Sequence, residues 1–272
     1  MNWSRVKTVL IILFLCTDIF LLATYLTSKY ASSTILPEVI ESTVEVLKNN
    51  NITVDPAAIP SKIPSVVSPD AQNVISDYES FAKKVLGTEI SPIEFGYESI
   101  VGKLTFFGDR FNFKKNTMLD AITDMIPVTD EKMAEDVTVS DLQRLGFNLE
   151  NARITTKKTD TGYTVTLENQ AKSLPIFNSQ VTAELSKSGI ISVSGIWFNE
   201  AESPNGNINI KSITSALIDF IPDVKTPAEI TEIQLGYNIF DKASYHKSAT
   251  LIPVWKVTTK DGETYLLDAR NM

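Results

Sequence analysis

A chain of 272 residues with 25 Lys+Arg against 33 Asp+Glu has a formal net charge of −8, and such a surface repels nucleic acid rather than binding it. Its 43% apolar content is enough for one large or two small cores, and its single cysteine excludes an internal disulfide, so those cores rest on packing alone. Hydropathy separates an apolar run near the start from a long acidic remainder.

Residues 1–7 form a short tail carrying Arg5 and Lys7, and residues 8–28 form the apolar run. At ~1.5 Å rise per residue a helix over 8–28 is ~31 Å long, matching the hydrocarbon core of a bilayer. Residues 9–15 are Val, Leu, Ile or Phe without a break, and Ile19, Phe20, Leu21, Leu22 and Leu26 follow. Together they favour insertion by roughly −4 to −7 kcal/mol, which outweighs the ~2.5–3.5 kcal/mol cost of one mid-helix carboxylate, Asp18. Arg5, Lys7 and the α-amino group precede the run and only Lys29 follows closely, so the positive-inside rule puts the N-terminus in the cytoplasm and residues 30–272 outside. Trp3 at one end, with Tyr25 and Tyr30 at the other, suits interfacial anchoring. A cleaved signal peptide is the competing expectation, but the run is longer than a signal core and Thr27-Ser28-Lys29-Tyr30-Ala31 offers no good cleavage site. Cys16 follows Leu13-Phe14-Leu15 where lipoprotein processing wants small residues, which leaves it a small lipid-buried side chain. Asp18 is either a contact to a partner helix, since one helix alone offers no mate for it, or a tolerated polar residue bonded back to its own helix.

Residues 29–70 read as a juxtamembrane helix over 37–50, with Pro37 at a first helical position, and then a stiff linker over 55–70 punctuated by Pro56, Pro60, Pro64 and Pro69. A first α/β subdomain is expected over 71–136. It opens with a helix over 71–86 ended by Gly87, continues with strands over 93–97, 104–107 and 110–113, and adds a short helix over 117–126. A second subdomain is expected over 137–272. It has a helix over 140–146 capped by Ser140-Asp141, hairpins over 152–168 and 181–198, and a helix over 210–221. Strands over 230–239, 251–259 and 263–268 complete it, the last two joined by Lys260-Asp261-Gly262. The fold class is α+β: mostly antiparallel sheet with helices packed on it. Beyond residue 29, setting aside Arg5, Lys7, Lys29 and Asp18, 22 basic side chains face 32 acidic ones, which also argues against docking on anionic lipid.

No catalytic constellation can be assembled from the sequence. The one histidine, His246, sits in a polar stretch. No His or Cys pair has metal-ligand spacing, and Gly102-Lys103-Leu104-Thr105 lacks the upstream glycine of a phosphate loop. Ser192-Val193-Ser194-Gly195 falls within a strand rather than on a nucleophile elbow. Ser186-Lys187-Ser188 reads as a turn. No enzyme activity, cofactor or metal is expected. Trp197 and Trp255 fall on strands, where core packing is the default; if either faces out it becomes a candidate partner surface.

The opening Met1-Asn2-Trp3-Ser4-Arg5-Val6-Lys7-Thr8, running into Ile11-Ile12-Leu13-Phe14-Leu15 and Asp18-Ile19-Phe20-Leu21, resembles the N-terminus of the YycI (WalI) family. Leu174-Pro175-Ile176-Phe177-Asn178 and Leu251-Ile252-Pro253-Val254-Trp255 resemble strands of the same family, and the C-terminal hairpin is similar to those of PepSY-like modules. That family comprises membrane-anchored regulatory proteins of a bacterial cell-wall two-component system. The resemblance implies two related α/β subdomains, a YycH-like sister protein and a membrane sensor histidine kinase as partners, and modulation of that kinase through transmembrane helices. The alternative is a PepSY-like extracytoplasmic module that binds a ligand or inhibits a protease, with the helix as a simple anchor.

Overall fold

The computed structural model describes residues 3–31, 34–116, 127–201, 207–239 and 249–271. It is a mixed α+β protein in which the sheet is mostly antiparallel, as the alternating patterns predict. The expected helix over 117–126 and the polar stretch around His246 lie outside the described residues.

The chain forms two compact units. The first joins Met1–Val66, Asn209–Gln234 and Trp255–Met272, and the second joins Val67–Ile208 and Leu235–Val254. This cuts across the expected division at residues 136 and 137. Each unit is closed by strand pairing between segments far apart in sequence, which local patterns do not reveal.

The first unit begins with helix α1 (Trp3–Ala31) and helix α2 (Pro37–Asn49). Proline at the first position of α2 costs no hydrogen bond there, and Ile40, Thr43 and Leu47 fall on one buried face. Strand Ile52–Val54 pairs in parallel with strand Ala228–Asn238, Ile52 opposite Ala228 and Val54 opposite Ile230. The Asp55 carboxylate then caps a short 3₁₀ turn by accepting from the Ala57 N–H at 2.9 Å. The residues expected to form a free linker are therefore folded: Ile59 and Val66 are buried, and the Ile35 N–H donates to the Ser61 carbonyl at 2.7 Å. The prolines are compatible with this because they stand in turns and at strand ends, where a missing N–H is tolerated.

In the second unit, seven antiparallel pairings run through eight strands: Arg153–Lys158, Tyr163–Ala171, Leu174–Ser186, Gly189–Ile196, Arg110–Lys115, Gly102–Phe107, Gly96–Glu98 and Ser91–Ile93. Helix α3 (Tyr78–Leu86) and helix α4 (Glu131–Arg144) cover one face, burying Phe81, Ala134 and Leu142 against Leu104, Phe111, Val165 and Val181. Three readings of this region are corrected. The expected helix over 71–86 holds only from Tyr78, because Asp70–Asn73 is a strand paired with Phe198–Glu200 and Ala249–Thr250, and Asp77 caps the helix. The expected helix over 140–146 begins nine residues earlier at Glu131, where the Asp130 carboxylate accepts from the Met133 N–H at 2.8 Å, and Ser140 lies inside it. The expected strand over 93–97 is a tight hairpin turning at Glu94-Phe95. Gly96 is needed there, since a Cβ on it would stand 2.0 Å from the Leu104 carbonyl oxygen.

In the first unit again, the Ser212 hydroxyl caps helix α5 (Ile213–Phe220) by accepting from the Ser215 N–H, and Ile213, Leu217 and Phe220 are buried. Strands Ile252–Thr259 and Thr264–Asp268 lie side by side, joined through the tight turn at Lys260-Asp261-Gly262 as predicted.

Candidate functional site

Three places were singled out from sequence. Asp18 sits midway along α1 and is exposed, with no hydrogen bond or ion pair among the described residues. Its polar neighbours are satisfied differently. The Thr17 hydroxyl donates to the Leu13 and Phe14 carbonyls at 3.0 and 2.8 Å, and Thr24 bonds back to Phe20 and Leu21 in the same way. The hydroxyls thus need no outside partner, whereas the carboxylate accepts nothing from its own helix. Around it the apolar side chains Leu10 to Leu15 and Ile19 to Leu22 point outward on all sides. Among the described residues no helix is long and apolar enough to cross a membrane.

The two strand tryptophans are interior. Trp197 is 1% exposed, donates Nε1–H to the Asn148 carbonyl at 3.2 Å and packs beside the Phe147 ring. Trp255 is also 1% exposed and donates to the Lys211 carbonyl at 3.0 Å. Neither offers a partner surface, which corrects that expectation. Each indole buries its large apolar body and finds one acceptor for its single donor, the ordinary way a core holds tryptophan.

Two features of the second unit escaped the sequence. Phe95 and Phe107 are 63% and 60% exposed and stack with ring centroids 6.0 Å apart, close to exposed Ile100 in sequence. Phe95 has a φ of 61°, a strained conformation for a bulky side chain. The other feature is a cavity of about 440 Å³ between the C-terminal turns of α3 and α4 and the sheet. Val85, Val137, Leu145, Phe113 and Ile190 give it an apolar wall, while Lys84, Lys115, Arg144 and Asp141 stand around it. Arg144 pairs with Asp141 at 2.7 Å. These residues come from two helices and two strands far apart in sequence, so no local pattern marks them as a group.

Chemistry finds little to work with. Among the described residues no group of three or more His, Cys, Asp or Glu is placed to hold a metal. Burial, and then the charge of Glu200, pushes the Tyr237 phenol up to about 12, and its hydroxyl donates to the Val67 carbonyl at 2.7 Å, so it serves as a fixed donor rather than an acid or base. Ser186 and Ser188 hydrogen bond to each other across the turn at 2.7 Å.

A model of the YycI protein family matches residues 31–270. The chain belongs to the YycI family. The match begins where α1 ends and takes in α2 and the strand at Ile52–Val54, the region expected to be linker. No curated protein matches the chain in sequence. Among solved structures, an uncharacterized protein from Eubacterium rectale aligns over 81% of this chain and 88% of its own, at 14% identity and a TM-score of 0.46. YycH from Bacillus subtilis aligns over 75% of this chain and 53% of its own, at 9% identity and a TM-score of 0.44. The YpeB C-terminal domain from Bacillus megaterium aligns over 71% and 92%, at 11% identity and a TM-score of 0.32.

Proposed function

We propose that this YycI-family chain is a single-pass, membrane-anchored regulator of a two-component system acting in cell-wall homeostasis. Its N-terminus faces the cytoplasm and residues 30–272 lie outside, where they bind a YycH-like sister protein. Helix α1 packs against the helices of a membrane sensor histidine kinase. Family membership over residues 31–270 is the observation that carries the regulatory role. The anchor is supported by the apolar side chains that α1 turns outward on every side, an arrangement suited to lipid rather than to one face of a core.

In this reading Asp18 is the helix's specific contact. A carboxylate with no mate in its own helix seeks a donor on a neighbouring one, and Thr17 and Thr24, already back-bonded, do not compete for it. A coupling of ~1–3 kcal/mol between helix packing and the kinase's signalling equilibrium shifts output about 5- to 150-fold. The reading assigns the chain no catalysis. Outside the membrane, the stacked pair Phe95 and Phe107 replaces the buried tryptophans as the aromatic surface available to a protein partner.

The test is affinity purification of the full-length chain from mild detergent, with bound proteins identified by mass spectrometry. Recovery of a histidine kinase and a similarly built sister protein is expected. Asp18→Leu should leave the chain in the membrane and lower kinase recovery, and exchanging α1 for an unrelated span should abolish it. Kinase recovery unchanged by both alterations would overturn the helix mechanism.

A further inference from the structure

We propose that the face of the second unit's sheet turned away from α3 and α4 binds an uncharged, linear glycan, held lengthwise across the strands by a row of hydroxyl and amide side chains. This inference rests on the regulator reading only for placing that face outside the membrane, and it uses no residue of α1.

Strand register sets six residues in one line: Thr105, Asn112, Ser194, Thr182, Thr166 and Thr155, each directly opposite the next on adjacent strands. The residues just before them, Leu104, Phe111, Val193, Val181, Val165 and Ile154, pack in the core under the helices, so alternation turns the row to the other face. At ~4.8 Å between strands the row is ~24 Å long. All six side chains are exposed or half-buried. Among the described residues only Thr105 uses its side chain within the protein, donating to the Asn112 carbonyl at 3.4 Å. Threonine is a common strand former, yet the next row on the same face carries the charges an exposed sheet ordinarily shows, Lys103 opposite Lys114 and then Glu184 and Lys157. The hydroxyl row has no charge at all.

That composition selects the occupant. Protein interface cores favour aromatic, Met and Arg side chains, nucleic acid needs cations, and a lipid surface needs apolar side chains. The six residues supply none of these. Each hydroxyl both donates and accepts, and the Asn112 amide does both with separate atoms. Sugar hydroxyls call for that double capacity, and a 1,4-linked hexose chain repeats them at close to the strand spacing. At one end of the row Phe107 follows Thr105 on the same face, 60% exposed and stacked on Phe95, a flat apolar plate suited to the C–H face of a pyranose ring. The edge that the regulator reading offers to a protein partner thus also meets the end of the glycan. A net charge of −8 disfavours acidic polysaccharides.

The experiment uses the full-length chain in nanodiscs of zwitterionic phospholipid and measures binding of cellohexaose, chitohexaose and hexagalacturonate by isothermal titration calorimetry. The first two are uncharged and differ in carrying a hydroxyl or an acetamido group at C2; the third is a carboxylate polymer. At least one uncharged hexamer should bind, about tenfold or more tighter than the acidic one, and the tighter of the two identifies the C2 group. Thr166→Val with Thr182→Val removes two hydroxyls from the middle of the row while keeping β-branched side chains in the strands. The melting temperature should hold and affinity should fall about tenfold. Asn112→Ala, at an exposed position, should weaken binding severalfold, whereas Lys132→Ala on the outer side of α4 should leave it unchanged. Binding of neither uncharged hexamer, equal binding of the acidic one, or an affinity that ignores the loss of the two hydroxyls overturns the proposal. Kinase recovery is a separate readout, so failure of the glycan site and failure of the regulator reading are told apart.

Discussion

Asn169 shows how much of the second unit's geometry hangs on single buried polar groups. Its side-chain amide donates to the Ser179 hydroxyl at 2.9 Å and to the Phe198 carbonyl at 2.5 Å, while Ser179 accepts from the Phe198 N–H at 3.1 Å. All three residues are buried, so truncating the amide strands a carbonyl that water cannot reach. Asn169→Ala should lower stability by about 1–3 kcal/mol, read as a shift of the urea midpoint with unchanged slope. Asp268 behaves differently, because it sits at the surface. Burial raises its carboxyl, but the hydrogen bonds and charge of Arg270 outweigh this and hold it below the ordinary aspartate value of 3.8. A carboxylate depressed in the folded state contributes stability that is full above that value and is lost as pH falls below it. Asp268→Asn should therefore cost under about 1 kcal/mol at neutral pH, and the difference between the two proteins should vanish in acid, as paired melting curves would show. Residues of these two kinds differ in how visible they are in sequence. Asp18 is legible because a charge inside an apolar run has no local excuse. Asn169 is not, because what distinguishes it is a pair of neighbours, Ser179 and Phe198, brought by the fold.

Elements were legible where one signal ruled. The hairpin strands Arg153–Lys158 and Tyr163–Ala171, and the pair Ile252–Thr259 and Thr264–Asp268, alternate cleanly and carry turn residues between them. Failures came where two signals overlapped. Val74 and Ile75 extend the apolar stripe of α3 backward, but Asn73 Oδ1 accepts from the Ile75 N–H at 2.8 Å and turns the chain out of helix, and Asp77 then restarts it. In α4 the apolar positions are sparse and mixed with acids, so only its end was visible. Helix α2 was seen, but its importance was not. Leu47 is 0% exposed, and α2 packs on α5 from the far end of the sequence. Leu47→Ala should cost about 2–5 kcal/mol, a core penalty that a juxtamembrane spacer would not pay, and thermal unfolding of the full chain measures it.

At the scale of the whole molecule, the first unit is assembled from three separated stretches of chain, and this governs how the protein can be cut. Trp255, Val257 and Phe220 are buried in a unit that also needs Leu47, Ile52 and Val54, contributed by residues before 67. A fragment beginning at residue 71, the boundary that the proline-rich sequence recommends, keeps the late stretches and discards α2 and the parallel strand paired with Ala228–Asn238. Strand 228–238 then has an open edge, and the face of α5 that meets α2 goes to water. The second unit loses only its first few residues, so the two tryptophans report separately. In a 71–272 fragment, Trp197, studied in a Trp255→Phe background, should keep the blue-shifted emission of a buried indole. Trp255, studied in a Trp197→Phe background, should emit like an indole in water and unfold without a cooperative transition. Both should be blue-shifted and cooperative in a fragment starting at residue 31, where the family match begins. A native-like Trp255 in the shorter fragment would mean that residues 31–70 are dispensable to the first unit, and that its core closes without the pairing of Ile52 with Ala228.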